Sequence, residues 1–185
     1  MRALLIGEAP GALEYEYVTE PPYEVIVIGS LSIGGLLRFR EERVTVMGPK
    51  GELKHVAVLG PARKEAQVEI SLTDGKSLGL TPPVKQSGDV SGSPGCVLVG
   101  ERGQVKLARG VIAAKRHIHL TPEDARKFGV KDKQTVKLQT YTARPVVFED
   151  VAVRVSPEFA SYVHLDYDEA NACGFRKGDL GRILP

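Results

Sequence analysis

Short runs of alternating apolar and polar residues are the main pattern of this chain. Residues 52–59 (ELKHVAVL) alternate in this way, and the turn GPKG at residues 48–51 separates them from a shorter run, RVTV, at residues 43–46. Two such runs on either side of a Gly-Pro turn predict a β-hairpin. Further strands are predicted at residues 67–71, 96–99, 104–107, 111–114, 135–139, 146–155 and 162–166.

Helical signals are few and short. Thr121 is a good N-cap, Pro122 suits the first helical position and Gly129 ends the run, so a helix is predicted up to Phe128. Residues 73–78 and 168–173, each followed by glycine, predict two more helices. Many short strands with a few helices favour a mainly β fold, namely two small β-barrels with short capping α-helices.

An internal repeat relates two parts of the chain. Residues 55–80 align without gaps on residues 150–175, with five identities in 26 columns, among them the Val-Ala-Val of residues 56–58 and 151–153. Both segments follow one plan of strand, turn, strand, short helix and glycine, so we interpret them as a duplication. In this alignment Glu69 corresponds to His164.

Composition and charge exclude several classes of protein. The 185 residues are 42% hydrophobic and 26% charged, which suits a water-soluble chain of one large or two small domains. The chain has 25 basic and 23 acidic residues, a formal net charge of +2. Because this charge is small, nucleic acid is not an expected partner. The apolar runs are far shorter than the roughly 20 residues of a membrane helix, so no membrane partner is expected and the cytoplasm is the predicted location. Cys96 and Cys173 form no Cys-x-x-Cys pair and are predicted to be small buried residues.

Three of the four histidines form a candidate metal site. His117 and His119 are two residues apart on a predicted strand end, so both side chains lie on one face. For this pair alone, a strand end with solvated histidines is an equal alternative. His164, on another predicted strand and at the repeat position of Glu69, favours a metal, and three histidines leave coordination positions open for catalysis. His55 lacks such partners and is predicted to be a surface or core residue.

Two other segments could contact a ligand. Arg63 lies in the turn at residues 59–64, shortly before Glu69, and its guanidinium could bind a phosphate or a carboxylate with two hydrogen bonds. A solvated turn charge is the alternative. The stretch SGDVSGSPG at residues 87–95 is rich in glycine but lacks the spacing of a nucleotide-binding loop, which favours an ordinary loop.

A series of motifs runs from about residue 36 to the end of the chain, in the order VTVMGPKG, VLGPARKEAQVEIS, SGSPG, GVIAAKRHIHLTPEDARKFGV, VRVSP and HLDYDEANACGF. In these motifs the chain resembles the phosphate propanoyltransferase family. This resemblance implies an enzyme that transfers a short, propanoyl-like acyl group between coenzyme A and inorganic phosphate, commonly in bacterial microcompartments for propanediol degradation. It also implies two β-barrels, one of residues 1–6 with 115–185 and one of residues 7–114, with two zinc ions between them. A homo-oligomer and contact with a microcompartment shell are open partner predictions.

The resemblance also implies roles for single residues. His117, His119 and His164 match the ligands of one zinc, and Glu69 matches a ligand of the other. The remaining matches are Arg63 as the catalytic, phosphate-binding residue and Asn171 and Leu59 as coenzyme A contacts.

The N-terminal part departs from the family. Members usually carry a further R-H-x-H-L motif there, whose two histidines complete the zinc site of Glu69, and the expected positions fall near Glu8 and Pro10. Because neither is histidine, we expect at most one tightly bound zinc and a weak enzyme. Two alternatives stay open: a catalytically impaired paralogue that binds one metal and coenzyme A or an assembly partner, and a different zinc hydrolase that uses the three histidines.

Overall fold

The computed structural model describes residues 4–5, 26–28, 43–59, 65–176 and 178–184. This part of the chain confirms the predicted mainly β fold. Its strands are β1 (Leu4–Leu5), β2 (Ile26–Ile28), β3 (Arg43–Met47), β4 (Glu52–Leu59), β5 (Gln67–Glu69), β6 (Val84–Lys85), β7 (Cys96–Gly100), β8 (Gly103–Leu107), β9 (Val111–Ala114), β10 (His117–Leu120), β11 (Thr135–Tyr141), β12 (Val147–Val155), β13 (Tyr162–His164) and β14 (Leu180–Leu184), and its helices are α1 (Leu72–Leu78), α2 (Pro122–Phe128) and α3 (Tyr167–Cys173). None of these helices is long and apolar enough to span a membrane.

The three helices are built alike. Each begins at a residue whose side-chain oxygen accepts a hydrogen bond from the backbone three residues on, namely Ser71, Thr121 and Asp166. Each ends at a glycine with left-handed backbone, as the sequence predicts. Because Ser71 and Asp166 are caps, β5 and β13 stop two residues before them and are shorter than predicted.

The chain divides into two compact units, one containing β1 and the chain from Lys115 onward, the other containing β2 to β9. The first unit holds a sheet in the order β1-β14-β11-β12-β10-β13, and the second a sheet in the order β6-β9-β5-β2-β4-β3-β7-β8. Each unit has its own apolar core, around Ile118, Leu138 and Val153 in the first and around Val46, Val58 and Leu78 in the second. The predicted barrel limits, and closure of either sheet into a barrel, stay predictions.

The same irregularity occurs once in each unit. In β4, His55 has left-handed backbone (φ 60°), and the pairing with β3 shifts register there. In β12, Asp150 has the same conformation (φ 54°), and the pairing with β11 shifts there. Both positions are β-bulges, and His and Asp are residue types that tolerate positive φ. The two positions are 95 residues apart, which is the offset of the repeat.

Candidate metal centre

Strand β10 carries the first two histidines. The sequence places them at the end of the strand at residues 111–114, but they lie on β10, a separate strand in the other unit. Ile118 and Leu120 of β10 are fully buried in the core, so the alternating His117 and His119 point to the opposite face of the sheet. Both imidazoles therefore lie on one face of a strand, but that strand is β10 and not the strand at residues 111–114.

The register of the sheet brings the third histidine to the same place. Strand β10 pairs with β13 in antiparallel fashion, and His117 is directly opposite His164. The ring centroids of the three histidines are 4.4–4.7 Å apart, and one ligand atom from each ring lies within 4.8 Å of the others. Tetrahedral zinc with Zn–N bonds of about 2.0–2.1 Å needs ring nitrogens roughly 3.3 Å apart. The three rings are therefore close enough together to be candidate ligands of one ion.

A backbone contact fixes which nitrogen of His117 can bind a metal. Its Nδ1 lies 2.8 Å from the carbonyl oxygen of Lys115. Since a carbonyl oxygen can only accept, Nδ1 carries the proton and donates, and the lone pair of the neutral ring is on Nε2. Metal-binding histidines commonly have their second nitrogen held in this way.

His119 carries a buried nitrogen without a hydrogen-bond partner. Its ring stacks on Phe159, with centroids 3.9 Å apart and planes 11° from parallel. Its Nε2 is buried and finds no partner among the residues that the structure describes. Leaving a buried polar atom unsatisfied costs about 1–3 kcal/mol, so this nitrogen fits a site that binds a metal ion. The donor set of three imidazoles also suits zinc.

All three rings are neutral at physiological pH. Burial, more than any other cause, lowers the pKa of His117 to about 4, and burial followed by the charge of His117 lowers the pKa of His119 to about 3. His164 keeps an exposed surface, but protein atoms crowd its ring, and this loss of hydration holds its pKa well below the usual 6.5. Neutral imidazoles keep the lone pairs that a metal needs.

Arg154 is a residue of this face that sequence reasoning missed. Strand β12 runs parallel to β10, and Arg154 is beside His119 in the register. Its positive charge lowers the pKa of all three histidines. Within the described part of the chain, the cluster contains no carboxylate. A divalent metal here would leave the site strongly positive, so an anion is the expected further ligand. The alternation of Val153, Arg154 and Val155 was the available signal.

Glu69 lies in the other unit, at the end of β5. The buried Gln67 donates through Nε2 to Glu69 Oε1 at 2.5 Å and to Ser87 Oγ at 3.0 Å, and its Oε1 accepts from the Gly88 amide at 2.7 Å. Gln67 thereby fixes Glu69 relative to the loop that follows β6. No motif or spacing in the sequence singles out Gln67.

Strand β2 occupies in its unit the place that β10 occupies in the other. It runs parallel to β4 and antiparallel to β5, as β10 does to β12 and β13. Ile26 is opposite Glu69, as His117 is opposite His164, so Ile26 and Ile28 stand at the register positions of His117 and His119. Isoleucine is not a metal-ligand type.

The other predicted site residues are placed as follows. Arg63, Glu8 and Pro10 lie outside the described residues, and Leu59 is the last residue of β4. Asn171 is exposed on α3, two turns after His164. Cys96 and Cys173 are buried free thiols, as predicted, and burial raises the pKa of Cys96 to about 12, which keeps it unreactive.

Comparisons with known proteins agree on one family. Residues 24–176 match the family description of phosphate propanoyltransferase. A phosphate propanoyltransferase of Clostridioides difficile is 54% identical over 144 residues, which are 78% of this chain and 69% of that protein. One of Listeria monocytogenes is 49% identical over 164 residues (89% and 76%), and one of Thermotoga maritima is 52% identical over 145 residues (78% and 69%).

Proposed function

Because the chain belongs to the phosphate propanoyltransferase family, as its motifs predict, we propose that it transfers a short acyl group between coenzyme A and inorganic phosphate. In this reaction a phosphate oxygen attacks the thioester carbonyl, the carbon–sulfur bond breaks, and the thiolate of coenzyme A leaves. The products are an acyl phosphate and free coenzyme A. Propanoyl is the acyl group that the names of the relatives support.

The observation that carries the proposal is the convergence of three neutral imidazoles, one with an unsatisfied buried nitrogen. His117, His119 and His164 fit zinc as ligands. With zinc held by these residues, the site would supply positive charge to stabilise negative charge on phosphate and on the carbonyl oxygen. With pKa values this far below 7, the histidines are unsuited to donating a proton to the leaving thiolate. Their role is to hold the metal.

The remaining roles come from the family pattern. Arg63 would hold phosphate through two parallel hydrogen bonds, because a planar guanidinium matches two phosphate oxygens. Asn171, exposed on α3, and Leu59, at the end of β4, would contact coenzyme A. Glu69 would be a ligand of a second zinc. Cytoplasmic or microcompartment location and assembly into a homo-oligomer stay predictions.

A duplicated pair of barrels is part of the proposal. It is supported by the two bulges at His55 and Asp150 and by the matching places of β2 and β10. On this view Glu69 and His164 descend from one ancestral ligand position. At the strand that supplies the paired histidines, the two units differ: β10 carries His117 and His119 where β2 carries Ile26 and Ile28.

A catalytically impaired paralogue is the second candidate. The observation that favours it is β2, where isoleucines stand in the register positions of His117 and His119. With Glu69 as its one ligand from β2 and β5, the second site would not retain zinc against a chelator. Such a protein would bind one metal and coenzyme A or an assembly partner without rapid turnover.

Metal analysis and an acyl-transfer assay on the same full-length sample separate these functions. The expected result is one tightly bound zinc per chain and formation of propanoyl phosphate from propanoyl-coenzyme A, both lost in His117→Ala and both kept in His55→Asn. His55 is the matched control, because it is an exposed histidine outside the cluster. One zinc without measurable transfer supports the impaired paralogue. No retained zinc rejects the metal site.

A further inference from the structure

Arg116 directly precedes the first histidine, and its side chain reaches two other parts of the same unit. Its Nε donates to the backbone oxygen of Glu149 at 2.7 Å. Its Nη1 donates to Glu169 Oε1 at 2.5 Å, and the guanidinium lies over the ring of Phe148, 5.7 Å from the centroid. The charged pair is largely enclosed, with 30% of the Arg116 and 16% of the Glu169 side chain exposed.

Glu169 in turn fixes the start of α3. Its second carboxylate oxygen accepts from the backbone amide of Asp166 at 3.2 Å, and the Asp166 side chain accepts from the Glu169 amide at 2.8 Å. This reciprocal pair is a capping box. Asp166 follows His164 by two residues. A continuous series of contacts therefore connects Arg116, next to one histidine of the cluster, with the chain next to another.

The other helices show that capping alone does not need an arginine. In α1 the residue equivalent to Glu169 is Asp74, which accepts from Ser71 Oγ at 2.9 Å. In α2 the cap Thr121 accepts from the Asp124 amide. Among the described helices, the arginine contact is made at α3, the helix that follows a histidine of the cluster. This points to a task related to the metal site.

Burial of the pair makes each partner dependent on the other. Loss of hydration is the main cause that raises the pKa of the Glu169 carboxyl, and the hydrogen bond from Arg116 opposes that rise. Without the arginine, this enclosed carboxylate would be left uncompensated, which is costly. Removing either member should therefore disturb the start of α3 and the segment from His164 to Asp166.

We propose that Arg116 is a positioning residue for the metal centre. By holding Glu169 and the Glu149 carbonyl, it fixes the position of His164 relative to His117 and so determines metal affinity. The inference rests on the proposed zinc site. Outer contacts that orient metal ligands are typically worth 10–100-fold in affinity. Since Asn171 lies on the same helix, the contact also sets the position of the proposed coenzyme A residue.

The test compares full-length wild type with Arg116→Met, Glu169→Gln and the double variant. Lys137→Met is the matched control, since it breaks the exposed ion pair of Lys137 with Glu149. Zinc affinity is measured by competition with a chelator, and ligand geometry by the visible absorption of the Co²⁺-substituted protein. Urea unfolding in EDTA shows whether each variant is folded.

We expect 10–100-fold weaker zinc binding and an altered Co²⁺ spectrum in both single variants. Because the two residues act as one unit, the double variant should bind zinc no more weakly than the single variant with the lower zinc affinity. Lys137→Met should match wild type in zinc affinity and in Co²⁺ spectrum. Folded Arg116→Met with wild-type zinc affinity and Co²⁺ spectrum overturns the inference and leaves the metal site standing. A wild-type chain that retains no zinc instead overturns the metal site and, with it, this inference.

Discussion

Replacing His119 with phenylalanine should make the metal-free protein more stable than metal-free wild type. With zinc bound, the same variant should be less stable than wild type. The unsatisfied Nε2 costs about 1–3 kcal/mol in the folded state, and phenylalanine removes that atom while keeping a flat ring against Phe159. A phenyl ring is larger than an imidazole by one ring atom, so the change in volume is small. In EDTA at pH 7.5 we expect His119→Phe to be about 1–2 kcal/mol more stable than wild type.

Zinc should reverse this order. At a free zinc concentration about 100 times its Kd, a folded protein gains about 2.7 kcal/mol. His119→Phe loses one of three ligands and should gain little, so wild type becomes the more stable protein. Urea unfolding with and without zinc measures both differences, and His55→Asn is the control, since asparagine also tolerates the left-handed backbone of that position.

Two outcomes would refute the reasoning. If His119→Phe is the less stable protein in EDTA, the imidazole nitrogen has a partner and carries no penalty. If zinc stabilises wild type and variant equally, His119 is not a ligand, whatever the distance between the rings.

Three further predictions concern the same site. Folding lowers the pKa of His117 to about 4 and of His119 to about 3, so between these values and pH 6.5 the unfolded chain binds more protons than the folded one. The urea midpoint of unfolding in EDTA should therefore be highest above pH 6.5 and fall as the pH drops toward 4. A midpoint that does not change with pH would contradict this. Arg154→Gln removes a positive charge beside the cluster, so chelator competition should show tighter zinc binding while isothermal titration shows weaker phosphate binding to the zinc form; unchanged phosphate affinity would reject its role with anions. Ile26→His with Ile28→His should supply the paired ligands opposite Glu69 and raise zinc from one to two per chain in elemental analysis, unless β2 does not bring them together.

Local patterns predicted the elements that carry local signals. The ends of α2 follow from Thr121, Pro122 and Gly129, because caps depend on residues within one turn. The shared face of the paired histidines follows from alternation along a strand. The third histidine, His164, was singled out by the internal repeat, which relates residues far apart in the chain and can be detected from the sequence alone.

What the sequence did not predict depends on pairing between distant strands. The break between β9 and β10 at Lys115 and Arg116 was missed because the strand pattern resumes directly after these two residues, so the two strands look like one. Strands of two or three residues, such as β1 and β6, are too short to show alternation. Arg154 belongs to the site because β12 lies beside β10, and no spacing within either strand reveals that register.

The bulge at Asp150 limits how this chain can change length during evolution. Up to the bulge and after it, the residues of β12 alternate in two phases, and the left-handed residue joins them. Phe148 and Val151 are paired with Leu138 and Val136, which lie on one face of β11, so deleting the extra residue at the bulge would leave every other side chain on its face. Deleting a residue elsewhere in β12 would instead turn every side chain on one side of it to the opposite face of the sheet. Within this strand, single-residue deletions should therefore be tolerated at the bulge and selected against at the other positions. The same constraint applies at His55 in β4.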